Sequence, residues 1–180
     1  MLEDKLLLWK LKSGNSDSLR RIYEKYKDDL LALAISLSND RTTAEDVLHD
    51  VFVSFAQYAP KLQLRTSLKS YLSSCIANRV RNLSRKKSQR TMQLYHAETI
   101  GSDCDGPQRL AISAEQSERI EMALSRLPYQ QQEVIILHFQ SGMRFKAIAE
   151  SQGVSINTIQ SRYRYGLNKL RSLLNSEVEK

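Results

Sequence analysis

As far as Gln89, apolar residues recur at the three- and four-residue intervals of a buried helix face. Over residues 16–37 the stripe is Leu19, Ile22, Tyr23, Tyr26, Leu30, Leu33 and Leu37. The polar run "NDRTTAED" then offers capping side chains, and a second helix is expected over residues 43–58. It must stop before Pro60, which has no N–H to donate and clashes with the preceding turn. Its inner stripe is Val47, Leu48, Val51, Phe52, Phe55 and Tyr58. A third helix is expected from Thr66 or Ser67 to about Lys87, burying Leu68, Tyr71, Leu72, Cys75, Ile76, Val80 and Leu83.

The period is lost over residues 88–113, where a Gly-Ser-Asp cluster and a Gly-Pro pair replace it. That stretch reads as a flexible linker with one helical turn at most. Helical period returns at Ala114 and persists to Leu174, with breaks around Pro128, Gly142 and Gly153. The expected fold is all-α, with two small helical domains at residues 1–90 and 114–180 joined by a linker over residues 91–113.

Within the second domain, Ala149, Gly153 and Ile159 have the spacing of a helix-turn-helix. A small Ala149 lets the second helix cross close by, Gly153 can take a positive φ at the turn, and Ile159 plugs the crossing. Ser155 is suited to cap the second helix. That helix places Ile156, Ile159, Tyr163, Leu167, Leu170 and Leu174 on one stripe. Asn157, Ser161, Arg164 and Asn168 lie opposite, flanked by Thr158, Gln160 and Arg162, and residues 154–174 contain no acid. Amide and guanidinium groups suit base edges, and Arg, Lys and Ser suit phosphates, so this face is a candidate DNA reader. Arg144 and Lys146, at the start of the first helix of the pair, can grip a phosphate together with free backbone N–H groups. The preceding apolar segment, Val134 to Leu137 behind Pro128, is expected to cover the back of this unit.

Charge sharpens the picture. The 180 residues carry a formal +7, which favours a polyanionic partner. No Asp or Glu occurs over residues 67–90, so the third helix offers a second candidate nucleic-acid surface, remote in sequence from the first. The second helix is opposite in character: its outer face shows Asp46, His49, Asp50, Val53 and Gln57. An acidic patch with a valine in its midst is either a protein-docking surface or a solvated face with one stray apolar residue.

Other chemistry is sparse. Cys75 and Cys104 make no disulfide framework or metal pair, and His49, His96 and His138 have no ligand spacing. Neither catalytic residues, nor a metal, nor a cofactor is expected. The start of the chain has no signal-peptide pattern, and no apolar run approaches the ~18 residues of a membrane span. The expectation is a cytoplasmic protein with no membrane insertion.

Three stretches resemble a known family, the extracytoplasmic-function (ECF) group of sigma-70 type RNA polymerase sigma factors. "AEDVLHDVF" is similar to the family's AED-hydrophobic-hydrophobic-Q-[DE]-x-F segment of region 2.2. "YLSSCIANRVRNLSRKK" resembles the WLxxIAxNxxxDxxR helix of regions 2.3 and 2.4. "LPYQQQEVIILHFQSGMRFKAIAESQGVSINTIQSRYRYGLNKLR" resembles region 4. The resemblance covers nearly the whole chain in the family's order.

It implies a protein that is not an enzyme, one that gives core RNA polymerase its promoter specificity and helps open the duplex. Region 2.2 would dock on the β′ clamp helices through Asp46, His49, Asp50 and Val53. The −10 element would be met by the loop from Lys61 to Thr66, then Ser67, Lys69, Ser70, Asn78, Asn82 and Arg85. The −35 element would be read by Arg144, Lys146, Ser155, Asn157, Thr158, Gln160, Ser161, Arg162 and Arg164. Region 4 would pack on the β flap, and an anti-sigma factor is a further partner that many relatives have. His49 stands where Gln is usual, Asn82 where Asp is frequent, and Arg79 falls inside the apolar stripe. The alternative is a helix-turn-helix regulator whose N-terminal helical domain senses a ligand or dimerises. That reading gives the acid-free third helix no role.

Overall fold

The computed structural model describes residues 2–64, 66–94 and 113–176. Among them are eight α-helices, one short 3-10 turn and no strand. Four helices precede the linker: α1 (Leu2–Lys12), α2 (Ser16–Ser38), α3 (Arg41–Tyr58) and α4 (Leu68–Leu94), with the 3-10 turn Ala59–Lys61 after α3. Four follow it: α5 (Ser113–Ser125), α6 (Tyr129–Phe139), α7 (Phe145–Gln152) and α8 (Ile156–Ser176). The all-α expectation is met. Residues 95–112, most of the expected linker, lie outside the described residues together with His96 and Cys104.

Local chemistry sets the boundaries. Asn15 accepts from the Ser18 N–H at 3.2 Å and starts α2. Asn39 ends it in the left-handed region at φ 53°, a conformation Asn tolerates better than most residues. Asp40 follows at once and caps α3 through the Thr43 N–H at 2.9 Å. With two residues between them, α2 and α3 must fold back on each other. Ser67 caps α4 through the Ser70 N–H at 3.1 Å, and α4 continues to Leu94, past the end expected near Lys87.

The first core lies between α2, α3 and α4, where Ile22, Leu30, Leu33, Phe55, Leu72 and Ile76 are buried. Each such side chain contributes roughly 1.5–3 kcal/mol. Phe52 stands edge-on to both Tyr23 (4.9 Å) and Phe55 (6.4 Å). Four positions of the expected stripes differ, and two of them, Tyr23 and Ile156, are 37% and 39% exposed at the edges of their helix faces. Tyr58 is 64% exposed, because the chain leaves the helix there and the small Ala59 takes the inward place. Arg79, within the α4 stripe by number, is exposed and turns toward α3.

The second half does not stand apart from the first. α6 carries Val134, Ile135, Ile136 and Leu137, all buried, and packs against α8 and α7 as expected, but also against α2. α7 in turn meets α4. One apolar cluster therefore runs from Leu7 and Leu8 in α1 to Ile159 in α8. A helix apolar around most of its circumference needs neighbours on both sides, and α6 has them.

α8 passes close to α6 at Gly166. A Cβ at that position would lie 2.8 Å from Ile135 Cδ1 and 3.1 Å from Gln131 Cβ. A branched side chain cannot enter without pushing the helices apart. Gly166→Leu is expected to destabilise the chain by about 1–3 kcal/mol in urea unfolding, the usual range for overpacking.

Candidate nucleic-acid interface

The α7–α8 pair has helix-turn-helix geometry. Gly153 has φ 65°, and its N–H closes α7 onto the Ala149 carbonyl. Ile148, Ala149 and Ile159 are buried at the crossing. Ser155 caps α8, accepting from the Thr158 N–H at 3.1 Å, while its hydroxyl also pairs with that of Thr158 at 2.8 Å. Arg162 Nη1 donates to Gln152 Oε1 at 2.8 Å and ties α8 to the end of α7.

The remaining residues of the expected −35 set fall on the outer side. Asn157, Gln160, Ser161 and Arg164 line one shallow concavity of about 260 Å³ on the outer face of α8. The Arg164 guanidinium lies 5.3 Å from the Tyr165 ring centroid. Arg144 and Lys146 are exposed at the start of α7, where Arg144 is the cap residue but makes no side-chain capping bond. The face thus combines amides, a hydroxyl and guanidinium groups, as base-edge and phosphate contacts need.

His138 supplies a support that sequence spacing did not disclose. Its Nδ1 bonds the Met143 carbonyl at 2.8 Å, across the turn between α6 and α7 where Gly142 has φ 64°. Its ring stacks near Phe145 (4.5 Å) and meets Tyr163 edge-on (5.2 Å). This aromatic cluster joins all three helices and fixes how α7 presents itself. A histidine read only for metal-ligand spacing hides that role.

On α4 the expected −10 residues are distributed unevenly. Lys61, Thr66, Asn82 and Arg85 are exposed. Ser67 and Ser70 are half-buried in the cap, and Lys69 reaches Asp29 on α2 at 2.5 Å. Asn78 accepts from Arg81 Nη1 at 2.9 Å. Ser67, Lys69 and Ser70 stand at the start of α4, with Lys61 and Thr66 before it and Asn78, Asn82 and Arg85 further along it; Arg65 of the expected loop lies outside the described residues.

The acidic face of α3 is open. Asp46 and His49 are exposed, and Val53 is 44% exposed beside them. Asp50 is paired with Arg79 of α4. That pair explains an arginine inside an apolar stripe: its side chain swings off the core to the neighbouring helix.

Between the two halves stands an ion pair that the sequence did not announce. Arg81 of α4 bonds Glu133 of α6 through Nη2, with Nε 3.4 Å from the second carboxylate oxygen. Glu133 is 2% exposed and Arg81 26%. Burial pushes the Glu133 carboxyl above its ordinary range, against the pull of the Arg81 hydrogen bond and the charges of Arg81 and Arg162. Gln132 Nε2 adds a long bond to the Ser36 carbonyl, at 3.4 Å.

Comparison with known proteins bears on both surfaces. The family model for Sigma-70 region 2 matches residues 22–90, and that for Sigma-70, region 4 matches residues 117–170. The ECF RNA polymerase sigma factor EcfG of Rhodopseudomonas palustris is 28% identical over 161 residues, covering 88% of this chain and 86% of its own. The ECF sigma factor SigW of Bacillus subtilis is 23% identical over 175 residues, covering 91% and 92%. Among solved structures, the sigma factor RpoE of Bartonella quintana, in complex with the anti-sigma factor NepR, superposes with a TM-score of 0.73 at 26% identity. It covers 87% of this chain and 96% of that one. CnrH in complex with the cytosolic domain of CnrY, at 22% identity and a TM-score of 0.71, shares the fold.

The buried carboxyl has a thermodynamic consequence. A folded-state pKa above the ordinary 4.5 means that the folded chain holds a proton the unfolded chain has lost. Glu133 therefore contributes stability at low pH that is lost as pH rises from about 4.5 through the elevated value. Urea unfolding measured against pH should show that decline, and Glu133→Gln, which cannot titrate, should flatten it.

Proposed function

The chain belongs to the ECF group of the sigma-70 family, whose members direct RNA polymerase to promoters, and we propose that its three surfaces divide that work. The region 2 match spans the domain that a ligand-sensing regulator would need for sensing, so that alternative gives way. In this reading the exposed face of α3, with Asp46, His49 and Val53, docks on the clamp helices of the polymerase β′ subunit. The start of α4 and its outer face meet the −10 element, and the outer face of α8 reads the −35 element. The polymerase performs the chemistry; the chain contributes binding and DNA opening. Region 4 packs on the β flap.

The observation that carries the division is the segregation of charge in space. An acidic, partly apolar face on α3 cannot favour DNA, whereas the outer faces of α4 and α8 carry amide, hydroxyl and cationic groups. A cytoplasmic location, where the polymerase works, belongs to the same proposal; no described helix is long and apolar enough to cross a membrane. An anti-sigma factor is a fitting additional partner, given the solved complex of the Bartonella relative.

Engaging both promoter elements demands a change of arrangement. Elements about two helical turns apart are separated by roughly 70 Å. Here α4 of the first half touches α7 of the second, and Arg81 is bonded to Glu133. We infer that the two halves part when the chain joins polymerase, freeing Asn78 and Arg81 for DNA. A donor–acceptor dye pair placed on α3 and α8 should lose energy transfer on addition of core polymerase.

The functional reading is tested by transcription with purified core polymerase and mapping of transcript ends, which should yield starts at defined promoters only when the chain is present. Asp46→Lys should weaken binding to the core about tenfold by reversing a charge at a complementary surface. Asn157→Ala or Gln160→Ala should relax the −35 preference, losing discrimination of about 1–3 kcal/mol per base contact. Lys146→Ala should instead weaken all promoters alike and make binding less sensitive to salt.

A further inference from the structure

On the face of α3 proposed to dock on polymerase, one carboxylate is already engaged from within the chain. Arg79 of α4 donates from Nη2 to Asp50 Oδ2. The two side chains are 45% and 48% exposed, a setting in which an ion pair adds little to stability. Nor does the packing of α3 on α4 need it. Phe55, Leu72 and Ile76 are buried in this core, and the Phe55 and Tyr71 rings lie 6.3 Å apart. An arginine that the fold does not require, bonded to a carboxylate that a partner is expected to use, competes with that partner.

We propose that Arg79 is a positioning residue that restrains polymerase binding by holding Asp50 and offsetting its charge; the proposal rests on the reading that α3 docks on core polymerase. Two effects point the same way. A cation of the partner can bond Asp50 fully only by displacing the guanidinium, so an existing bond is lost as the new one forms. A guanidinium left at the edge of the joined surfaces then repels the cationic partner that an acidic face selects. The restraint comes from a neighbouring helix, so it acts on Asp50 without any change in α3 itself. Arg41 makes a similar bond to Glu45, from Nε to Oε1 at 3.0 Å, but within α3 and outside the expected docking set. It starts the helix nine positions before Asp50, roughly 13 Å along the axis. That exceeds the screening length of about 8 Å at physiological salt, which makes Arg41 a control for overall charge.

Equilibrium binding of the labelled full chain to purified core polymerase, at ~0.15 M salt, decides it. Arg79→Met and Arg79→Gln should each bind about fivefold tighter than the wild type, a change that a damaged fold cannot produce. Arg79→Lys, which keeps the charge, should give back most of the restraint. The tightening should vanish in an Asp50→Asn background, because Arg79 acts only through that carboxylate. Arg41→Met should shift affinity by less than about twofold. Unchanged or weaker binding by both uncharged Arg79 variants overturns the proposal. So does an equal tightening in the Asp50→Asn background or with Arg41→Met, since the effect would then belong to overall charge. Asp50→Asn alone separates this proposal from the reading beneath it. If it weakens core binding while the Arg79 variants change nothing, docking through α3 stands and the restraint fails. If it leaves core affinity untouched, the docking reading fails at Asp50 and the restraint falls with it.

Discussion

The carboxylate of Glu133 is the point on which the arrangement of the two halves turns. It sits almost wholly buried on α6, and Arg81 on α4 in the other half bonds it. Removing one partner of a buried ion pair leaves an uncompensated group in a low-dielectric setting, which costs far more than a surface pair contributes. The contact therefore acts as a position-specific tie as well as an attraction. It sets α6 against the first bundle, and α6 in turn carries the helix-turn-helix behind it.

The same tie has a functional side. Asn78, within the surface proposed for promoter DNA, is bonded by Arg81 of the same acid-free helix, and Arg81 in turn is engaged by Glu133 of the second half. The face of α8 proposed to read the −35 element points outward and stays open. On the proposed reading, the chain as it stands presents one DNA-reading face while part of the other is occupied by its own second half. Arg162, in the second half, adds a charge that favours ionised Glu133.

Much of this was legible in the residues. The stripes of α2, α3 and α4 placed Ile22, Leu30, Phe55, Leu72 and Ile76 inward, and all five are buried. Periodicity works because each helix has a single face toward the core. The turn chemistry of Gly153 and the cap at Ser155 were equally plain, since both depend on neighbours only a few residues away. Tyr58 failed for a reason of the same local kind: at the last turn of a helix, periodicity no longer controls where a side chain points. Arg79 failed differently. Its long side chain reached Asp50, a partner twenty-nine positions away that no stripe can indicate.

By itself, then, the sequence determined the helices from α2 onward, the acidic face and the acid-free one, and the family to which they belong, but it did not mark α1. The helices and faces follow from composition and from spacings within single elements, the family from the resemblance of three stretches. Tertiary structure alone decided that α6 packs against both halves, that Arg81 meets Glu133 across fifty-two positions, that His138 braces the α6–α7 turn, and that Trp9 lines a cleft with Leu62, Leu64 and Leu68. Each of these is a meeting of groups from different elements. The energy of such a meeting depends on burial and geometry that exist only after the chain has folded.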